Sequence, residues 1–192
     1  MRTKYVMASV YSIAHFAVDF GCALLVFGLL TGSANIATSL NAANTAVLFL
    51  IYNFFAFAMQ MPIGLITDHL NRNCLVAACG VLLVALAYAF TFVPLAAVII
   101  AGIGNALFHV GGGIDVLNMS TKNSRWLGIF VSPGAFGVYF GTVWGKSHAL
   151  PVAIAAVALL GLVVLIPLLH YIFNRSFVSE NESLIFPKLK KA

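Results

Sequence analysis

The chain has 192 residues, 62% of them hydrophobic and only 8% charged, with a net charge of +5. This composition excludes a water-soluble globular domain and leaves no stretch in which one could fold. The basic excess is not a nucleic-acid signal, because it is spread along the chain as membrane topology requires rather than gathered in one patch.

Six apolar stretches are long enough to cross a bilayer, at about 20 residues each. They cover roughly residues 5–30, 41–66, 74–92, 94–119, 125–145 and 149–173. The expected fold class is therefore an all-α membrane protein, with a six-helix transmembrane domain over residues 1–174 and a tail over 175–192. If the spans alternate, Arg2, Lys4, Arg72, Lys122, Arg125, Arg175, Lys188, Lys190 and Lys191 share one side, and only Lys146 lies on the other. That bias predicts a multi-pass protein of the plasma (inner) membrane with both termini cytoplasmic. Cys22, Cys74 and Cys79 are odd in number and lie in or beside spans, so no disulfide is expected.

The first span carries His15 and Asp19, one helical turn apart and on one face. At 1.5 Å per residue from Tyr5, Asp19 lies about 21 Å up the helix, near mid-membrane. A carboxylate at that depth faces a cavity or a partner, or else satisfies itself with its neighbouring imidazole. The second span offers the amides Asn44, Asn53 and Gln60, as interhelical hydrogen bonds or as substrate contacts. Around them Phe49, Phe54, Phe55 and Phe57 are expected to face lipid or to pack between helices.

Met61 to Asn73 is the densest polar cluster of the first half. Gly64 and Asp68 share a helix face and Arg72 falls one turn further along. The glycine admits a close neighbouring helix, and the arginine is positioned to pair with Asp68 or with a helix C-terminus. The third span has no charge, and the short turn at Thr91–Pro94 makes spans three and four adjacent.

In the fourth span Asn105 lies about 16 Å from Pro94, again near the midplane, with His109 one turn deeper and Asp115 nearer the inner end. Gly102, Gly104 and the run Gly111–Gly113 suit close packing or local unwinding. In the fifth span Gly137, Gly141 and Gly145 recur every four residues, a small-residue ridge for tight helix crossing, and Pro133 is placed to kink it. The sixth span is aliphatic, with His170 expected in solvent at the inner interface.

These residues together resemble the major facilitator superfamily. Gly64, Asp68 and Arg72 match its Gly-x-x-x-Asp-Arg-x-Gly-Arg-Arg/Lys loop between helices two and three, while His69, Asn71 and Asn73 depart from it. Within the superfamily the chain is most similar to the fosmidomycin-resistance type of exporters. The first helix of that branch reads His-x-x-Asn-Asp, and here His15 and Asp19 match with Val18 in place of Asn. The fourth reads Gly-x-Gly-x-x-x-Phe-His-Pro-Glu; Gly102, Gly104, Phe108 and His109 match, and Val110 and Gly111 replace Pro-Glu. In the fifth, Ile129, Phe130, Gly134, Gly137 and Gly141 match, whereas Pro133 and Ala135 do not.

The resemblance implies two inverted three-helix repeats forming one half of a twelve-helix alternating-access transporter, completed by a second copy or by a second half-transporter chain. It implies a small-molecule substrate, a small organic solute with export favoured, proton coupling, the lipid bilayer as surroundings, and no nucleic acid. The implied substrate and proton path is His15, Asp19, Asn53, Asn105 and His109. The implied inner gate is Gly64, Asp68, Arg72 and Asp115, and the packing hinge is Pro133, Gly134, Gly137, Gly141 and Gly145. The third helix is implied to be peripheral and lipid-facing. No cofactor or metal is expected and the chain does not read as an enzyme: it has no metal-ligand spacing, no nucleophile beside a base and no phosphate loop. A non-transporting membrane scaffold is the alternative.

Overall fold

The computed structural model describes residues 2–31, 42–119, 125–147 and 152–173. The loop after Thr31, the loop over 120–124, the tail over 175–192 and the side chain of Asn44 lie outside the described residues. In order, the elements are α1 (Arg2–Thr31), α2 (Ala42–Asn53), a π-helical turn (Phe54–Ala58), α3 (Gln60–Leu70), α4 (Asn73–Ala87), a 3-10 turn (Tyr88–Phe90), α5 (Pro94–Met119), α6 (Arg125–Ser147) and α7 (Val152–Phe173). With α2 through α3 counted as one span, six helices are long and apolar enough to cross a membrane. No strand occurs among the described residues. Helices apolar on every side suit this setting, because in hydrocarbon each backbone group must be bonded within its own segment.

Three spans form the interior and three lie outside them. The first, third and fourth are 67%, 61% and 56% buried, against 17%, 22% and 22% for the second, fifth and sixth. The third span is thus not peripheral: Val76, Ala77, Gly80, Val81, Val84 and Ala87 of α4 are enclosed by α5, α7 and α1. Its small side chains explain the difference, since they let α5 come close. A Cβ on Gly80 would stand 2.6 Å from the Gly104 carbonyl oxygen, and one on Gly104 would stand 2.7 Å from the Gly80 oxygen. Gly111, where the resembling branch has Glu, lies 2.5 Å by the same measure from the Asn73 oxygen and 2.6 Å from the Ala77 nitrogen, so no side chain fits there. The Gly111–Gly113 run is helical throughout and serves packing, not unwinding.

The most extensive helix pair is α1 with α6. Gly134, Gly137, Gly141 and Gly145 form one buried stripe of α6, the last three seated on the α1 backbone from Phe16 to Gly28 and Gly134 on the side chains of His15 and Asp19. Pro133 stands within an uninterrupted helix. A proline lacks the N–H that would bond the carbonyl four residues earlier. Here that carbonyl, of Ile129, accepts instead from Ser12 Oγ of α1 at 3.1 Å, a hydroxyl that also reaches the Ala8 oxygen at 2.7 Å. Ser12→Ala is expected to cost about 1 kcal/mol in detergent unfolding. Adding Pro133→Ala should restore most of that loss, because an alanine there supplies an intrahelical donor; an unchanged deficit in the double variant would refute this account.

Between α3 and α4, Asn71 has φ 49° and ψ 41°, the left-handed conformation, and its N–H bonds the Thr67 oxygen at 2.9 Å. The motif this loop resembles has glycine at that position, and asparagine is the residue next most tolerant of it. Asn71→Gly should leave stability within a few tenths of a kcal/mol, whereas Asn71→Val should lose about 1–2 kcal/mol.

Candidate functional site

Four of the five residues expected along the substrate and proton path meet in one buried node between α1 and α5. Asp19 Oδ2 lies 3.2 Å from His15 Nε2, and Asp19 Oδ1 lies 3.6 Å from His109 Nε2. Asn105 Nδ2 donates to Asp19 Oδ1 at 3.0 Å and also points at Cys22 Sγ, 3.7 Å away. Asp19, His15 and Asn105 are 8%, 2% and 2% exposed, too enclosed to touch a solute directly. The i, i+4 spacing within each helix sets two of the groups on one face, and the close α4–α5 seam fixes the depth of α5 against α1.

The hydrogen positions follow from the acceptors. His109 Nδ1 lies 2.9 Å from the Asn105 carbonyl oxygen, which can only accept, so Nδ1 carries the hydrogen. In the neutral imidazole His109 Nε2 then turns a lone pair toward Asp19 Oδ1. His15 donates from Nε2 to Asp19 Oδ2, which leaves its Nδ1 buried without a partner, as is Asn105 Oδ1.

Aromatic rings close the node. The His15 ring stands edge-on to His109 at 4.4 Å and tilted against Phe130 at 4.4 Å, with Phe108 at 5.9 Å. Gly134 of α6 covers the remaining side: a Cβ there would stand 2.5 Å from both Asp19 Oδ2 and His15 Nε2. The bare backbone of α6 thus seals the carboxylate from lipid, so Gly134 belongs to the site as well as to the helix seam.

Asn53 does not join the node. Its amide bonds the Phe49 oxygen of its own helix at 2.7 Å. The residue of the second span that reaches in is Tyr52, whose hydroxyl interacts with Cys22. Here the helix is widened into the π turn, and Gly102 of α5 packs against it, with a Cβ 2.9 Å from the Tyr52 oxygen.

The expected inner gate is divided. Asp68 and Arg72 are exposed, and no ion pair joins them among the described residues. Gly64 has open space over it rather than a neighbouring helix. Asp115 is elsewhere, in a second polar cluster where α1 begins and α5 and α7 end. It accepts from Tyr11 Oη at 2.6 Å and faces His170 Nε2 at 3.8 Å. His170 is therefore turned toward Asp115 instead of standing free in solvent. Asn73 and Cys74 of α4 border the same cluster. Tyr11 was missed in the sequence because a tyrosine near a span end reads as an interface anchor. The periodic signal that could have found it is its place one turn before His15 on the same face.

The absence of metal-ligand spacing in the sequence does not carry over to space. His15, Asp19 and His109 bring one ligand atom each to within 4.8 Å of one another, a set that could hold a cation. The three thiols, Cys22, Cys74 and Cys79, are unpaired. No family model, no curated protein and no solved structure matches the chain.

Proposed function

We propose that the chain is one six-helix half of a major-facilitator-like secondary transporter, working as a dimer that moves a small organic solute by alternating access. The observation that carries this reading is a carboxylate and two imidazoles meeting in the middle of the first and fourth spans. Burying ionisable groups in hydrocarbon is costly and is retained where ions or solutes pass. The node is the coupling centre, at which a proton is taken up or released as access alternates. The solute itself occupies a cavity that one half does not enclose.

A face for the second half is available on the second span. Gln60, Gly64 and Asp68 share one side of α3, with Met61 and Leu65, 78% and 65% exposed, beside the open notch at Gly64. A small residue between bulky apolar ones is a seat for another helix, and a polar stripe gains from a polar partner. On this reading Asp68 and Arg72 complete their gate across the dimer.

The test is native mass spectrometry of the purified chain from nanodiscs, with no other chain co-expressed. A dimer is expected, and Gly64→Leu should return it to monomer without unfolding it. A wild-type chain that stays monomeric at all concentrations would overturn the self-sufficient dimer and favour a scaffold or a separate partner half.

A further inference from the structure

We propose that the buried node is a binding site for a divalent transition-metal ion of the zinc, cobalt and nickel class, held by His15 Nε2, Asp19 and His109 Nε2, with the ion taking the place of the His15 Nε2 hydrogen, which moves to Nδ1. The distances favour this occupant at one edge in particular. His109 Nε2 and Asp19 Oδ1 are 3.6 Å apart, and with the imidazole neutral two lone pairs face each other. A hydrogen bond there would be long, since N–H···O contacts lie at about 2.7–3.2 Å. Ligands held about 2.0–2.1 Å from one tetrahedral ion are about 3.3–3.4 Å apart. The two imidazole–carboxylate approaches, 3.2 Å to Asp19 Oδ2 and 3.6 Å to Asp19 Oδ1, bracket that value, and with one atom counted per ligand the three lie within 4.8 Å, so the set contracts around an ion on binding.

The surroundings of His109 and Asp19 are also those of a metal site, whereas His15 Nδ1 has no partner behind it. His109 Nδ1–H is tied to the Asn105 carbonyl oxygen at 2.9 Å, which fixes the tautomer that leaves Nε2 free to bind. The Asn105 amide borders the carboxylate at 3.0 Å, and its Oδ1 is a buried acceptor with no partner. Turned over, that amide presents the oxygen to the same point as a fourth ligand. Two imidazoles and one carboxylate select this class of ion, because magnesium and calcium require oxygen ligands almost throughout. A divalent ion leaves one positive charge in excess of Asp19, so binding depends on both imidazoles and should not survive the loss of either.

The binding site stands on this geometry alone. Only its role, as an ion that the transporter carries or is driven by, rests on the function proposed above.

The experiment is calorimetric titration of the purified full-length chain in nanodiscs with zinc chloride, alongside the visible spectrum of the cobalt-loaded protein. One ion per chain is expected, with intense cobalt bands of four-coordinate type. His109→Gln, His15→Gln and Asp19→Asn should each weaken zinc binding by ~100-fold or more. The His69→Gln/His170→Gln variant, which removes two histidines outside the node, should bind like the wild type. Wild-type protein that binds no zinc overturns the inference, as does zinc binding that persists in His109→Gln. If a node variant fails to elute as folded protein, the wild-type cobalt spectrum decides, and a six-coordinate, water-like spectrum overturns the site. A dimer that binds no zinc leaves the transporter reading standing. A chain that binds zinc in the node but stays monomeric and moves no solute upholds the site and overturns that reading instead.

Discussion

Gly137→Ala should be among the most damaging single-methyl changes at the described residues, costing about 3 kcal/mol or more and removing most of the folded, monodisperse material. The added Cβ would collide with the Phe16 carbonyl oxygen and stand 3.0 Å from the Phe20 nitrogen, both of them backbone atoms of α1 that no rotamer change can move aside. The two helices would have to separate along their most extensive seam, where Gly141 and Gly145 make the same kind of contact. Between membrane helices there is little hydrophobic drive to compensate, because lipid tails are as apolar as the side chains. What is lost is dispersion contact along several turns. The control is the same substitution where the space is open. Gly128→Ala and Gly161→Ala meet nothing within 4 Å. Each should be neutral or stabilising by up to about 1 kcal/mol, through helix propensity alone. Thermal unfolding of the three variants in one detergent checks the sign of each, and a Gly137→Ala protein as stable as Gly128→Ala would refute the packing assigned to α1 and α6.

Asp19→Asn should lower coupled flux by about 100-fold or more, as loss of a proton-transferring group does, while changing stability by no more than about 1 kcal/mol. The asparagine has the same shape and keeps an oxygen for either His15 Nε2 or Asn105 Nδ2, which now meet the carboxylate at 3.2 Å and 3.0 Å. One hydrogen bond is lost, but so is the cost of a carboxylate in hydrocarbon. Asp19→Leu is different. It removes the acceptor from both donors and should destabilise by several kcal/mol, at about 1–3 kcal/mol per buried unsatisfied group. Flux into proteoliposomes, with a solute found by thermal-stabilisation screening, separates the two effects. An Asp19→Asn protein that transports normally would remove Asp19 from the coupling centre.

Much of the node was legible beforehand because helical periodicity is rigid. His15 with Asp19, and Asn105 with His109, had to share a face within their own spans whatever the tertiary arrangement, and counting residues from the span ends placed both pairs near mid-membrane. Gly64, Asp68 and Asp115 were harder. A motif match for Gly64 and Asp68, and a position near the inner end for Asp115, say nothing about direction around the bundle. Asp115 turns toward Tyr11 and His170, whereas Asp68 turns outward. Asn53 and Tyr52 show the same difficulty at one-residue resolution. The π turn that follows them changes which side of the span faces α5, and no period in the sequence announces it.

The sequence alone determined the six spans, the membrane setting and the all-helical class, since each depends only on local hydropathy over about 20 residues. It also determined that glycine stripes would carry the helix crossings, because only residues without side chains let two backbones touch. Which spans lie inside was decided only in three dimensions. The third, free of charge and apolar on every side, could as well have faced lipid, and it is interior because Gly80 meets Gly104 and Ala77 meets Gly111. The convergence of His15, Asp19 and His109 on one point was likewise settled only by packing. Those side chains are separated by up to most of a hundred residues of chain, and their distances are set by how closely α1, α5 and α6 approach one another.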